Sequence, residues 1–335
     1  MTDPNTPAPR GPNAPRPGTK AGGFAALDPK VAGGLAGLVS ALFTGAVVLG
    51  LPFLTALYFF APLPILLVGF SHGPVGAIVA AVTAAVAMGA VAGPLAALAA
   101  AASAGVPAAY AAYLLNLARP ADELGGPSDR LAWYPLADVL LRVCLTVAAG
   151  AVVIGVAIGY DATTVAALLE ETFLAGVTDA DLAQQGLTRE GLAAAVTGLV
   201  PVAQPFTTVL VLVGNIYLAG RVARSRGLTD RPPDDMPLSL RLPTLALAIF
   251  GIALAFSFMD GPLALAARTV AGALGAGFTI AGYAILHHRL RGNAARGMVL
   301  VLVYVTTVLF TLPAFIMLGL GLFSTARAVP MSKRT

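Results

Sequence analysis

The stretch Leu136 to Leu145, "LADVLLRVCL", places an acid and a base inside an otherwise apolar run. Asp138 and Arg142 are four residues apart, so a helix sets them one turn apart on one face, acid first, which is the favourable order. Trp133 and Tyr134 just upstream have the amphipathic rings that anchor a helix at a membrane boundary, and Pro135 suits a first helical turn. Counted from Trp133 at about 1.5 Å per residue, Arg142 lies about 13 Å deeper. An unpaired Arg at mid-membrane costs about 2.5–3.5 kcal/mol on insertion scales, which predicts that the pair faces the protein interior. Two readings are open. In one, the pair locks its helix against a neighbour and Arg142 snorkels toward the interface. In the other, Arg142 faces a polar or anionic small-molecule ligand and Asp138 orients it.

Other polar residues in apolar runs extend this set. Gln204 lies between Pro201 and Pro205, where the helix is expected to break and free backbone groups. Asn215, in "VGNIYLAG", falls at a depth comparable to Asp138 and Arg142. Asp138, Arg142, Gln204 and Asn215 are therefore the candidate ligand-binding or intramembrane polar cluster. Helix-to-helix hydrogen bonding is the competing account for Gln204 and Asn215, and for Asn116 in "YLLNLARP". Arg268, in "LALAARTVAG", is expected to pair with Asp260.

Catalytic signatures are missing from the sequence. It has no Gly-rich phosphate loop ending in Lys-Ser or Lys-Thr, no HExxH and no GxSxG. The run "GALGAGFTIAG" has no strand before it, so close helix packing explains it better than a dinucleotide fingerprint. His72, His287 and His288 have no carboxylate at ligand spacing, and Cys144 is the single cysteine. The expectation is no enzyme activity, no cofactor and no metal.

Composition says what must hold these residues. Of 335 residues 58% are hydrophobic and 11% charged, against about 25% charged in a soluble domain. A chain this apolar cannot cover itself with a polar surface, so the lipid bilayer is its first partner. Net charge is +4, but the basic residues fall between apolar runs and form no stripe interleaved with aromatics, so nucleic acid is not a partner.

A crossing helix needs about 20 apolar residues. Nine runs qualify: Val31 to Gly50, Leu51 to Phe70 (broken by Pro52, Pro62 and Pro64), Val75 to Val91, Pro94 to Leu117, Leu131 to Gly159, Leu192 to Ala219, Leu242 to Phe258, Leu263 to Leu286 and Met298 to Phe323. The fold class is all-α, a polytopic helical membrane protein of about 8–9 transmembrane helices. Arg and Lys cluster before the first run and in the loops after the fourth, sixth and eighth. By the positive-inside rule these loops and the N-terminus are cytoplasmic, in a bacterial inner membrane. Nine crossings leave the basic C-terminal tail outside, so an eight-span arrangement is the alternative.

The resulting division has four parts. Residues 1–29 form a disordered Pro-rich cytoplasmic tail, and 30–323 form the helical transmembrane domain. Within that domain, 160–190 is an acidic extracytoplasmic loop and 220–241 a basic cytoplasmic loop. Residues 324–335 are a short basic tail. The acidic loop should hold two short amphipathic helices. Val165, Leu168, Leu169, Phe173 and Leu174 share a face of the first, with Asp161 as its N-cap. The second starts with a capping box at "TDAD" and stops at Gly186.

Small residues recur in the first run. Ala32, Ala36 and Ser40 are spaced by four, with Gly33 and Gly37 beside them. This is a smooth face on which another helix can lie closely, a candidate helix-packing or partner face.

This small-residue helix resembles a known pattern when taken with the proline-broken "LPFLTALYFFAPLP", the following "GFSHGPVGAIVAA", the turn "GNIYLAGRVARSRG" and the final apolar helix pairs. The bacterial integral membrane family DUF2232, or YybS-like, shows it over most of the chain after Asp28. That family is similar in turn to the substrate-binding S components of energy-coupling-factor transporters, in which small residues of the first helix contact the coupling subunit. The resemblance implies a membrane protein partner on Ala32, Ala36 and Ser40, and small-ligand binding or transport. The chain departs by its extra spans, its acidic loop and its Pro-rich tail. The other reading is a non-transporting membrane scaffold that assembles with envelope proteins.

Overall fold

The computed structural model describes residues 26–46, 54, 56–172 and 174–327; most of the expected N-terminal and C-terminal tails lie outside these, and Pro29, placed in the first, already opens a helix. The chain order is α1 (Pro29–Gly45), a 3-10 turn (Ala56–Phe60), α2 (Pro62–Ala92), α3 (Pro94–Leu115), β1 (Ala118–Pro120), β2 (Leu131–Trp133), α4 (Leu136–Ala157), α5 (Ala162–Thr172), α6 (Asp179–Gln184), α7 (Arg189–Ser225), α8 (Met236–Ser239), α9 (Leu245–Phe256), α10 (Pro262–Arg289), α11 (Arg296–Leu309) and α12 (Leu312–Ala326). The two strands form a small antiparallel hairpin, with Arg119 opposite Ala132. That hairpin was not expected from the apolar pattern.

Among the described residues five stretches are long and apolar enough to cross a membrane: Ala56–Ala92, Pro94–Leu115, Leu136–Ala157, Arg189–Ser225 and Pro262–Arg289. A sixth results if α11 and α12, bent by 116° at their junction, count as one broken span. The expected eight or nine spans differ from this count for definite reasons. α1 has only 17 residues and α9 only 12. The third expected span and the part of the second from Ala56 onward both fall in Ala56–Ala92.

That stretch is folded back on itself. Gly73, at φ 72 and ψ −165, breaks α2 just before Pro74. The Ser40 hydroxyl on α1 donates to the Ala61 carbonyl at 2.7 Å, while a methyl on Gly37 would lie 2.5 Å from the Ala80 carbonyl. A straight helix would separate Ala61 from Ala80 by about 28 Å, so the limbs 62–72 and 74–92 run antiparallel. Only glycine adopts this backbone without strain. A second reversal follows at Gly93 (φ 88), where a methyl on Gly89 would lie 3.0 Å from Ala97 Cβ.

The small-residue face of α1 is covered by the chain itself. Ala32, Gly33, Ala36, Gly37, Ser40 and Ala41 are buried. A methyl on Gly33 would stand 2.6 Å from the Gly76 carbonyl of α2. The expected partner surface is thus an internal seam, because the second limb of α2 offers complementary small residues at Gly76, Ala77 and Ala80 and lies nearest. The opposite face of α1, with Val31, Leu35, Leu38 and Leu42, is exposed.

α10 is the centre of the bundle, packing on α4, α7, α8, α9 and α12. Its glycine run allows backbone-to-backbone approach. Methyls on Gly272 and Gly282 would clash with the carbonyls of Val202 on α7 and Met317 on α12. A methyl on Gly321 would in turn clash with the Phe278 carbonyl. Pairing of 278 with 321 and of 282 with 317 makes α10 and α12 antiparallel. The chain therefore leaves α12 heading away from Arg291, toward the end that carries the acidic loop.

At that acidic end, α5 and α6 form a cap. Asp161 Oδ1 accepts the Thr164 N–H at 2.7 Å, as expected of an N-cap. Thr178 and Asp181 make the reciprocal capping box, and Gly186 has φ 70. Val165, Leu169, Leu174 and Leu182 bury together with Ala193 of α7. Leu168 instead points outward, and Phe173 lies outside the described residues. Arg189 ties the cap down, bonding Glu170, Asp179 and the Val177 carbonyl.

Pro201 and Pro205 do not break α7, which runs continuously for 37 residues. Pro201 lacks the N–H that would bond the carbonyl four residues back, that of Thr197. The Tyr160 hydroxyl supplies a donor there, 3.3 Å from Thr197 O. A prediction follows from the packing on α10. Gly321→Ala should lower stability by about 1–3 kcal/mol through overpacking, whereas Gly319→Ala, with nothing near its Cβ, should be neutral in a detergent thermal melt. Equal melting of the two variants would contradict the close α10–α12 approach.

Candidate functional site

The structure does not bring the four candidate polar residues together. Among the described residues no hydrogen bond or ion pair joins any two of Asp138, Arg142, Gln204 and Asn215. Asp138 is half-buried in the first turn of α4 and Arg142 is exposed. The Arg142 guanidinium sits 5.1 Å from the centre of the Tyr134 ring, which draws it back toward the helix start. The expected interior-facing pair is thus corrected to a half-buried acid and an outward base that snorkels. The buried stripe of α4 is Leu136, Val139, Leu140, Val143, Cys144 and Val147, and Arg142 lies on the other side of the helix.

Gln204 is exposed on α7, its amide nitrogen 3.3 Å from Thr208 Oγ1. Asn215 is the interior member, at 5% exposure. Its Nδ2 donates to the carbonyls of Phe59 at 2.7 Å and Val211 at 2.8 Å. Both partners are acceptors, so the nitrogen must face them. The other end, Oδ1, is buried without a hydrogen-bond partner among the described residues. Asn116 donates to the Gly69 carbonyl at 2.9 Å, a helix-to-helix bond. Arg268 Nε donates to the Ser257 carbonyl at 3.0 Å rather than pairing with Asp260; it caps the C-terminal end of α9.

The strongest buried polar assembly is one the sequence reading missed. Arg231, in the basic loop 220–241, is only 4% exposed. Its Nε and Nη2 grip Asp234 in a fork at 2.8 and 3.0 Å. Nη2 also donates to the Tyr134 carbonyl at 3.0 Å, and Nη1 to the Leu115 carbonyl at 3.2 Å. Its guanidinium lies 5.8 Å from the Trp133 ring centre. Leu115 ends α3 and so presents one of the carbonyls that a helix leaves unpaired. One side chain thus joins the end of α3, the strand leading into α4, and the loop after α7. The signal in the sequence was "DRPPDD": prolines stiffen the turn that holds Asp234 three residues from Arg231, and an Arg-carboxylate fork is the form in which a charge is best buried.

Beside it, a cavity of about 20 Å3 is lined by Leu115, Tyr217, Arg224, Thr229, Arg231 and Asp234, among others; that is room for about one water. Farther along α7 a shallow groove of about 290 Å3 lies between Phe59 and Phe60 on one wall and Leu210, Val211, Gly214, Asn215 and Leu218 on the other. At the same end as Arg231, Arg291 forks onto Asp235, with Nη1 to Oδ2 at 2.8 Å. Those bonds hold the Asp235 carboxyl below its ordinary range, so the tie persists at neutral pH and is lost only as acidification passes that lowered value. Among the described residues no group of three His, Cys, Asp or Glu is placed to hold a metal ion.

A family model described as "Predicted membrane protein (DUF2232)" matches residues 38–324. No curated protein and no solved structure matches the chain.

The Arg231 assembly yields a sharp contrast. Asp234→Ala leaves a buried guanidinium without its carboxylate and should cost about 3–5 kcal/mol. Arg142→Gln, on an exposed side chain, should cost less than about 1 kcal/mol. Thermal melts of the two variants in detergent give the comparison, and a milder effect for Asp234→Ala would contradict the keystone role of Arg231.

Proposed function

We propose, for a chain that belongs to the DUF2232 family of membrane proteins, a non-transporting, non-enzymatic scaffold that assembles with envelope proteins in the bacterial inner membrane. In this reading the Arg-rich end, with the N-terminus, is cytoplasmic and the cap of α5 and α6 is extracytoplasmic.

The observation that carries the proposal is Gln204. Its carboxamide is exposed on a spanning helix, flanked on the same face by the exposed residues Ala203 and Thr207. A polar side chain pointing out of a bundle toward lipid is best satisfied by a neighbouring helix. Small residues beside it let that helix come close. The partner is therefore a transmembrane helix that itself offers a hydrogen-bonding side chain to the carboxamide. α11 adds lipid-facing surface, since none of its residues is buried.

The alternative, S-component-like ligand binding, is supported only by the unpartnered Asn215 Oδ1 beside the groove. Its other three residues face elsewhere, and the face meant for a coupling subunit is packed on α2.

Gln204→Leu tests the scaffold reading. The side chain is exposed, so the variant should fold and melt like the parent. A photocrosslinker at position 203 or 207 in native membranes should give a protein adduct that the variant reduces several-fold. Unchanged crosslinking would refute the helix-docking role of Gln204. Ligand-dependent thermal stabilisation lost in Asn215→Leu but kept in Gln204→Leu would favour binding instead.

A further inference from the structure

The groove beside Asn215 and the cation below it form one continuous strip on α7. Leu210, Gly214, Tyr217 and Arg221 recur at spacings of four, three and four, and all four are exposed. They share one face of the helix. The groove, about 290 Å3, is floored by Gly214 and walled by Phe59 and Phe60. Its lining residues Phe59, Phe60, Leu210 and Gly214 are exposed, so the groove faces out of the bundle. Seven residues separate Gly214 from Arg221, about 10 Å along the axis toward the Arg-rich end. There Arg221 Nη1 lies 3.5 Å from the Tyr217 hydroxyl and has no carboxylate partner among the described residues. Arg224 and Arg226 add charge at the same end, and neither is in an ion pair among the described residues.

We propose that this strip is a binding site for one anionic phospholipid. An acyl chain lies in the groove across Gly214, and the phosphate meets Arg221 and the Tyr217 hydroxyl where α7 nears the membrane surface. The order of features fits a lipid and not a soluble anion. The apolar slot comes first, at membrane depth, and the cation follows at the distance from chain to headgroup. Asn215 is a positioning residue. By holding the Phe59 carbonyl at 2.7 Å it fixes the aromatic wall against α7. The small side chain at 214 is what leaves the slot open, since a Cβ there would meet nothing within 4 Å. The site is independent of Gln204, so either proposal can fail alone.

The experiment uses the full chain in detergent, exchanged into mixed micelles of phosphatidylglycerol and phosphatidylcholine and read by native mass spectrometry. The parent should retain phosphatidylglycerol in preference to phosphatidylcholine. Arg221→Gln should lower that preference about fivefold, the worth of one cation near an anionic surface. Gly214→Leu, whose Cβ would meet nothing within 4 Å and whose isobutyl group enters the slot, should abolish retention of the bound lipid while the melting temperature holds. Gly198→Leu, on the same helix with equally open surroundings, should behave as the parent. Three results would overturn the proposal: no headgroup preference in the parent, full retention in Gly214→Leu, or an equal loss in Gly198→Leu. Displacement of the lipid by glycerol phosphate would also overturn it, by showing recognition of the head alone.

Discussion

A buried guanidinium sets the arrangement of the Arg-rich end. Arg231 comes from a polar loop yet is one of the least exposed charged side chains, and four of its hydrogen bonds go to three separate parts of the chain. Isolated, such a charge could not stay away from water. Its Asp234 partner makes the pair neutral, and the two carbonyls use donors that the carboxylate leaves free. The same bonds satisfy the Leu115 carbonyl at the end of α3. Geometry here is therefore reciprocal: the loop is ordered because the helices need a donor, and α3 and α4 are held together because the loop supplies it.

Within the apolar part, attraction comes from contact and not from exclusion of water, because lipid tails are as apolar as the side chains they would replace. Close approach then depends on residues that take little room. α1 uses Gly33 and Gly37 against α2, and α10 uses Gly272 and Gly282 against α7 and α12. The polar bonds that cross between segments, such as Ser40 to Ala61 and Asn116 to Gly69, sit where small residues have already brought backbones together.

Much of the architecture was legible in hydropathy, because a spanning helix must satisfy its own backbone and so announces itself as a long apolar run. The caps of α5 and α6 were legible too, since Asp161 and Thr178 act on residues three places away. What hydropathy could not give was direction. Spacing puts Asp138 and Arg142 on one side of α4, but in a helix that is apolar all round nothing marks which side is inward. The stripe on α1 likewise announced close packing without naming its neighbour, and that neighbour lay in the same chain. Arg231 was hidden for the opposite reason. Its surroundings in sequence are polar and Pro-rich, and its burial depends on backbone carbonyls from residues 115 and 134, which leave no trace in side-chain chemistry. Gln204 was found by type but misplaced, because the prolines around it were expected to disrupt a helix that Tyr160 helps keep whole.

The Tyr160 hydroxyl has a consequence beyond repair of a proline gap. It stands at the root of the acidic cap, and the carbonyl it reaches belongs to α7. Swinging the cap away would strip that acceptor of the Tyr160 donor, and an unpaired carbonyl is costly wherever water is excluded. Cap and helix are therefore tied: a hydroxyl at the root of the cap closes the gap that Pro201 leaves in a helix of 37 residues.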